Sequence, residues 1–141
     1  MRTVINDRSR DEQIGKWVGE KVEPQWAEGD ITIGSEKDGE MVAGVLMNSW
    51  NGANIHAHLR CDSPYGMTRE FLREVFRVVF NQLGAQRMTA ACCSANKRIL
   101  VVLSKMGFIC EAILKNFMPD GHLVVMVMWP ENCKYLENQN G

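Results

Sequence analysis

The sequence predicts a mixed α/β fold in which helices cover a central sheet. Segments with apolar residues at helical spacing alternate along the chain with short apolar runs typical of strands, and turn residues separate them. The predicted order is helix, three strands, helix, strand, helix and two strands, with room for a short first strand at residues 2–5. The 141 residues, 45% of them apolar, suit one domain over residues 1–135 and a polar tail over residues 136–141.

The first helix is predicted over residues 7–22. Ile14, Trp17, Val18 and Val22 recur at helical spacing among charged residues, which is typical of an amphipathic helix. Pro24 is expected to end it.

Three strands are predicted next. Residues 31–33 and 40–50 form a hairpin around the turn Lys37-Asp38-Gly39, and Asn51-Gly52 leads into a third strand over residues 53–62. Side chains on this third strand alternate between a mainly apolar face and a polar one. The first face holds Ile55, Ala57, Leu59 and Cys61, and the second holds His56, His58 and Arg60.

The second half of the chain is divided by turn residues into two helices and three strands. Thr68 is a predicted N-cap, and the helix that follows extends to Gly84. Its apolar stripe consists of Phe71, Leu72, Val75, Phe76, Val79 and Leu83. A buried strand over residues 86–94 and a helix over residues 95–106, ended by Gly107, come next. Two strands, over residues 108–118 and 123–129, then meet at the turn Pro119-Asp120-Gly121.

Composition argues against several classes of protein. Sixteen basic and seventeen acidic residues give a net charge of −1, which disfavours binding to nucleic acid or to an anionic membrane. The longest apolar run, residues 123–129, is far shorter than the roughly 18 residues of a membrane span. The N-terminus lacks the apolar stretch of a secretory signal, so we expect a cytoplasmic protein. The five cysteines include no C-x-x-C pair, and we expect neither a disulfide framework nor a metal.

The most informative segment joins the third strand to the second helix and reads Ser63-Pro64-Tyr65-Gly66-Met67-Thr68. A strand, a turn with glycine and a helix N-terminus place unpaired backbone N–H groups at the positive end of a helix dipole, which suits a pyrophosphate. Gly66 would allow the backbone to approach the phosphates on the protein surface. A glycine in such a turn also fits a purely conformational role.

Motifs further along the chain extend this pattern. Ala95-Asn96 is followed by Ser104-Lys105-Met106-Gly107-Phe108 and then by Cys110-Glu111-Ala112. Over residues 31–129 this order resembles the GNAT superfamily of acetyltransferases. A finer resemblance, to short phage-encoded members related to the RimJ/RimL type, lies in Thr68-Arg69-Glu70-Phe71-Leu72 and Asn81-Gln82-Leu83-Gly84. The resemblance implies a mixed sheet of six to seven strands with helices on both faces, and an N-acetyltransferase that uses acetyl-CoA.

The resemblance also implies where acetyl-CoA binds. Backbone amides from Pro64 through Arg69 would hold the pyrophosphate, the end of the third strand would bind the pantetheine and the acetyl carbonyl, and Asn96 would contact the cofactor arm. The implied binding residues are Leu59, Arg60, Cys61, Ser63, Pro64, Tyr65, Gly66, Met67, Thr68, Arg69 and Asn96.

The loop departs from the family pattern Gln/Arg-x-x-Gly-x-Gly/Ala, because Gly66 is its only glycine. Gly66 matches either the first glycine, with Ser63 and Thr68 at the other two positions, or the second, with Cys61 and Pro64 there. Both alignments leave the basic position without a basic side chain.

Arg69 or Arg60 would then supply the positive charge. Arg69 also begins a row of arginines at four-residue spacing, with Arg73 and Arg77, which is typical of a solvated helix face.

Acetyl transfer to an amine needs a base for the amine proton and an acid for the departing thiolate. Many GNAT members place the acid on a Tyr four residues before the Gly of Lys-x-Gly-Phe, and this chain has Leu103 there. We predict His56 and His58 as the candidate bases, because they share one face of the third strand and an ordinary pKa of about 6.5 needs little adjustment. Glu40 and Glu111 are weaker candidates, since carboxylates at strand ends are commonly solvated.

Two functions remain open from the sequence. The first is an acetyltransferase that acts in a ternary complex on a primary amine, which is a protein N-terminus, a lysine or a small amine. The second is a catalytically weak or inactive binding protein of the same fold that acts on a host partner, and the missing Tyr and the irregular phosphate loop both favour it. The expected partners are acetyl-CoA and an amine acceptor, with a homodimer also considered and with no membrane or nucleic acid.

Overall fold

Seven strands form one mixed sheet in the computed structural model, which describes residues 1–63 and 66–136. The strand order across the sheet is β1-β2-β3-β4-β5-β7-β6. The strands are β1 (Arg2–Ile5), β2 (Ile31–Lys37), β3 (Glu40–Asn48), β4 (Asn54–Cys61), β5 (Arg87–Cys93), β6 (Ile109–Met118) and β7 (Gly121–Met128), and the α-helices are α1 (Asp11–Gly19), α2 (Arg69–Phe76) and α3 (Lys97–Met106). The predicted mixed α/β fold and order of elements are confirmed, including the short first strand.

The first helix is shorter than predicted. A 3₁₀ turn at Arg8–Arg10 precedes α1, which ends at Gly19 rather than near Pro24. Glycine has a low helix propensity, which is consistent with an end at this position. Ile14 and Val18 of the predicted stripe are fully buried, so the apolar face itself is confirmed.

Two apolar cores lie on opposite faces of the sheet. The smaller core packs α1 against the sheet through Ile5, Ile14, Val18 and Leu46. The larger core includes Ile55 and Ala57 of β4 together with side chains from α2 and α3. The predicted alternation along β4 is therefore confirmed: its apolar residues face the larger core and its polar residues face the side of α1.

The second helix changes geometry halfway along its length. Thr68 caps it as predicted, because its side chain accepts a hydrogen bond of 3.2 Å from the backbone N–H of Phe71. After Phe76 the chain continues as a π-helical segment, Arg77–Gln82, where one α-helix was predicted. The wider turn brings the consecutive side chains of residues 78–80 into the core.

The predicted β2–β3 turn is confirmed. Asp38 and Gly39 have φ angles of 54° and 87°, which match the twist of a tight hairpin.

In the described chain, no helix is both long and apolar enough to cross a membrane.

Candidate functional site

The strands β4 and β5 separate in the middle of the sheet. They run parallel and pair at Asn54 with Arg87, Ile55 with Met88 and His56 with Thr89. Beyond this point β4 continues to Cys61 paired with β3, and β5 continues to Cys93 paired with β7. The backbone edge of β4 over residues 57–61 therefore faces a gap instead of a neighbouring strand.

Two connected cavities occupy this gap. The first is about 290 Å³ and is lined by side chains from both faces of the sheet, including His58, Leu103 and Glu23. The second is about 630 Å³ and extends towards the start of α2 and one face of α3. The two share the lining residues Lys21, Val22, Leu59, Leu72, Asn96, Ile99 and Met106. The second volume falls within the range of small-ligand sites, roughly 300 to 1,000 Å³, and the first lies at its lower limit.

Gly66 lies against β3 rather than on the surface. A Cβ at this position would stand 2.8 Å from the carbonyl oxygen of Val42, and its φ is not left-handed. The residue is buried, so the expectation of a surface turn is wrong. Packing of the loop on the sheet therefore requires a residue without a side chain at position 66. Pro64 and Tyr65, which were also predicted to bind acetyl-CoA, lie outside the described residues.

Basic side chains reach the second cavity from α3. Arg98 and Lys105 line it, as does Lys21, and none of the three was predicted from the sequence. The spacing of Arg98, Val102 and Lys105 places them on one helix face, and this was the available signal. Arg69, one of the two predicted sources of charge, is exposed on the first turn of α2.

Arg60 has a structural role on the other face of the sheet. Its guanidinium stacks on Trp17 at 3.8 Å from the ring centroid, and donates hydrogen bonds to the Trp17 carbonyl, to Glu20 and to Asp62. The hydrogen bonds that Arg60 donates to Asp62 raise the pKa of Arg60, and the same contact lowers the pKa of Asp62. These contacts tie the end of α1 to the end of β4, and Arg60 also lines the second cavity.

The two predicted histidines lie close to the gap. His56 is at the last paired position of β4 and β5, and His58 is half-buried and lines the first cavity. Burial, and then the neighbouring His56, lower the pKa of His58 to about 4. The expectation that its pKa needs little adjustment is therefore wrong for His58, whose ring is neutral at neutral pH.

The position of the family tyrosine is occupied by Leu103, which is 4% exposed and lines the first cavity. Glu40 is exposed at the β2–β3 turn. Glu111 accepts a 2.6 Å hydrogen bond from Arg87, which lowers the pKa of Glu111. The carboxylate that lines the first cavity is that of Glu23, in the segment after α1, which carried no recognisable signal in the sequence.

Asn96 caps α3 and lies beside both cavities. Its Oδ1 caps α3 by accepting a 3.3 Å hydrogen bond from the N–H of Ile99, and the residue lines both cavities. Across residues 1–63 and 66–136, no group of three or more histidines, cysteines and carboxylates is placed to hold a metal ion.

Solved structures share this architecture. A spermidine N-acetyltransferase variant from Vibrio cholerae matches with a TM-score of 0.72 and 12% identity over 96% of both chains. The ribosomal-protein-S5-alanine acetyltransferase of Vibrio fischeri matches with a TM-score of 0.67 and 14% identity, over 94% of this chain and 95% of the other. The ribosomal-protein-S18-alanine N-acetyltransferase of Escherichia coli matches with a TM-score of 0.64 and 14% identity, over 100% and 99%.

No family model and no curated protein matches the sequence. At these identities the structural matches establish the fold alone, which is the fold of GNAT acetyltransferases.

Proposed function

We propose that this protein is an acetyl-CoA-dependent N-acetyltransferase that transfers an acetyl group to a primary amine in a direct ternary complex. The observation that carries the proposal is the gap between β4 and β5, which opens into two connected cavities. The structures with this fold include enzymes that acetylate ribosomal-protein alanine and spermidine, and this supports transfer to an amine.

The gap and the second cavity fit acetyl-CoA, which would supply the acetyl group as a thioester. The free edge of β4 over residues 57–61 offers backbone hydrogen-bonding groups to an extended amide chain, much as a neighbouring strand would. The first turn of α2, after the Thr68 cap, presents unpaired N–H groups at the positive end of a helix dipole, which suits phosphate.

We assign the acetyl-CoA site to the backbone of residues 59–61, 63 and 66–69, together with Asn96. Arg98 and Lys105 add positive charge beside it, because both line the second cavity. They take the place of the basic loop residue that the sequence lacks.

The acceptor amine would enter from the face of α1. The segment Lys21–Glu23 and His58 line the first cavity on that side. A neutral imidazole can take the proton that the amine loses as it forms the new bond, and His58 is neutral at neutral pH. A protein N-terminus, a lysine and a small amine all present the same nucleophile, and we keep all three as acceptor classes.

A second function is favoured by two observations. Leu103 offers no proton to a departing thiolate, and a base with a pKa of about 4 is weak at neutral pH. A catalytically weak or inactive protein of this fold that binds acetyl-CoA and acts on a host partner accounts for both.

Calorimetry and an assay for released CoA separate the two functions. We expect acetyl-CoA to bind and to stabilise the protein by about 2.7 kcal/mol at a hundredfold excess over Kd. Arg98→Ala should weaken binding about tenfold, because it removes a charge beside the phosphates. Lys16→Ala, which removes an exposed lysine paired with Glu12 on α1, is the control and should bind normally.

Release of CoA on addition of amine peptides or polyamines would support the enzyme. Binding without release under any acceptor would favour the second function. No binding at millimolar acetyl-CoA would overturn the proposed activity.

A further inference from the structure

The edge strand β6 carries an unusual share of the exposed apolar surface. Seven large hydrophobic residues are exposed in the described chain, and four of them lie on this strand: Ile109 (44%), Ile113 (61%), Leu114 (37%) and Phe117 (62%). Every residue from Ile109 to Phe117 is exposed. The strand pairs with β7 on one side only, so its outer edge presents unpaired backbone groups to solvent.

Proteins usually protect such an edge with a short strand, a proline, charges or a β-bulge. Here the strand is ten residues long and contains no proline, and its charges and irregular pairing flank an apolar centre, Ala112 to Leu114, that carries none of these protections. An exposed edge of this kind is suited to pairing with another strand.

We propose that β6 pairs antiparallel with β6 of a second copy of this chain, around a two-fold axis at Ile113. The two sheets then join into one continuous sheet. The interface is isologous, because the same strand contributes from both copies.

The local register favours this axis. Ala112, Ile113 and Leu114 pair regularly with β7, and irregular pairing begins on either side of them. Around an axis at Ile113, each Ile113 lies opposite its own copy, and Ala112 lies opposite the partner's Leu114. The two most central exposed apolar side chains, of Ile113 and Leu114, are thereby covered.

The charges of the strand fit a second copy in the antiparallel direction. Glu111 and Lys115 are its only charged residues, and they stand on either side of the regular segment. Antiparallel pairing brings the Glu111 end of one strand to the Lys115 end of the other, whereas parallel pairing would bring like charges together. Glu111 keeps its ion pair with Arg87 on its own chain in this arrangement.

The first test is the oligomeric state by analytical ultracentrifugation. We expect the full chain to be a dimer at micromolar concentrations, and Ile113→Asp to weaken it at least a hundredfold, because two like charges would meet on the axis. Lys115→Glu should weaken it more modestly. Val101→Asp, at an exposed apolar residue of α3, is the matched control and should leave the dimer intact.

The second test does not depend on how well the first variants fold. In a Cys110→Ser background, Ile113→Cys should form a disulfide between copies under mild oxidation, since directly opposite Cα atoms are about 4.5 to 5.5 Å apart in antiparallel pairs. Glu111→Cys should not, because its two copies would be about 14 Å apart at this register.

A monomer at high micromolar concentration would overturn the proposal. So would a dimer that survives Ile113→Asp, or a crosslink through Glu111→Cys in place of Ile113→Cys. Loss of the dimer in Ile113→Asp with normal acetyl-CoA binding would separate this interface from the cofactor site.

Discussion

The Nε2 atom of His58 lies 3.1 Å from the Oδ1 atom of Asn48 on the neighbouring strand. In the tautomer that makes this contact a hydrogen bond to the amide oxygen, Nε2 carries the ring proton and Nδ1 keeps its lone pair. Because the pKa of His58 is about 4, its ring is neutral at neutral pH. His58 is thus held in one orientation, in the form that accepts a proton.

His58→Gln should lower kcat by about a hundredfold and leave the Kd of acetyl-CoA unchanged. The loss is at the low end of general-base effects, because the pKa of His58 lies far below the working pH. For the same reason the rate should stay level down to about pH 5 instead of falling near 6.5. Initial rates of CoA release across pH measure both.

Two further variants make this prediction sharper. His122→Gln, at the β6–β7 turn, should keep the wild-type rate. A normal rate in His58→Gln together with a loss in His56→Gln would assign the base to His56 instead, and normal rates in both would exclude this histidine pair.

Stability should depend on pH through His58. Its pKa is about 4 in the folded state and about 6.5 in the unfolded chain, so the unfolded chain binds more protons between these values. The contribution of His58 to the free energy of unfolding should therefore be fully present above pH 6.5. It should decrease by roughly 1 to 2 kcal/mol as the pH falls towards 4. Urea unfolding from about pH 7 to 5 tests this, before the carboxylates begin to titrate.

In His58→Gln this part of the pH dependence should disappear, while His122→Gln should retain it. An unchanged slope in His58→Gln would contradict a depressed pKa at this residue.

Gly66→Ala should destabilise the fold by about 2 to 3 kcal/mol, because the new Cβ would stand 2.8 Å from the Val42 carbonyl oxygen. Gly19→Ala is the control, since its nearest neighbour would be 3.5 Å away, at ordinary contact distance. Its free energy of unfolding should change by less than about 1 kcal/mol. Equal urea midpoints for the two variants would show that Gly66 has room for a side chain.

Arg60→Met should cost about 2 to 3 kcal/mol of stability. The variant loses the charged hydrogen bonds to Glu20 and Asp62 and leaves the Trp17 carbonyl without its donor. Because these contacts hold the end of α1, the segment Lys21–Glu23 should become less ordered. The KM for the acceptor and the Kd of acetyl-CoA should both rise, since Lys21 and Val22 line both cavities.

The matched control is Arg77→Met, which breaks an exposed ion pair with Glu74 within α2 and its continuation. It should cost less than about 1 kcal/mol and leave both constants unchanged. If Arg60→Met behaves like Arg77→Met, the Arg60 contacts do not anchor the acceptor side.

The sequence by itself determined the order of elements, the amphipathic faces and the caps. These features depend on local spacing, as in the alternation along β4 and the Thr68 cap. The order of elements and motifs resembles that of GNAT proteins strongly enough to predict the fold. It also identified Leu103 as a position without a proton donor.

Only the tertiary structure decided how the site is assembled. The role of Gly66 depends on a carbonyl 24 residues earlier in the chain, and the roles of Arg60 and Glu23 depend on how the segment after α1 packs on β4. The pKa of His58 depends on burial, which no local pattern reports. Such contacts join residues that are distant in the chain, so they exist only once the sheet has formed and β4 has separated from β5.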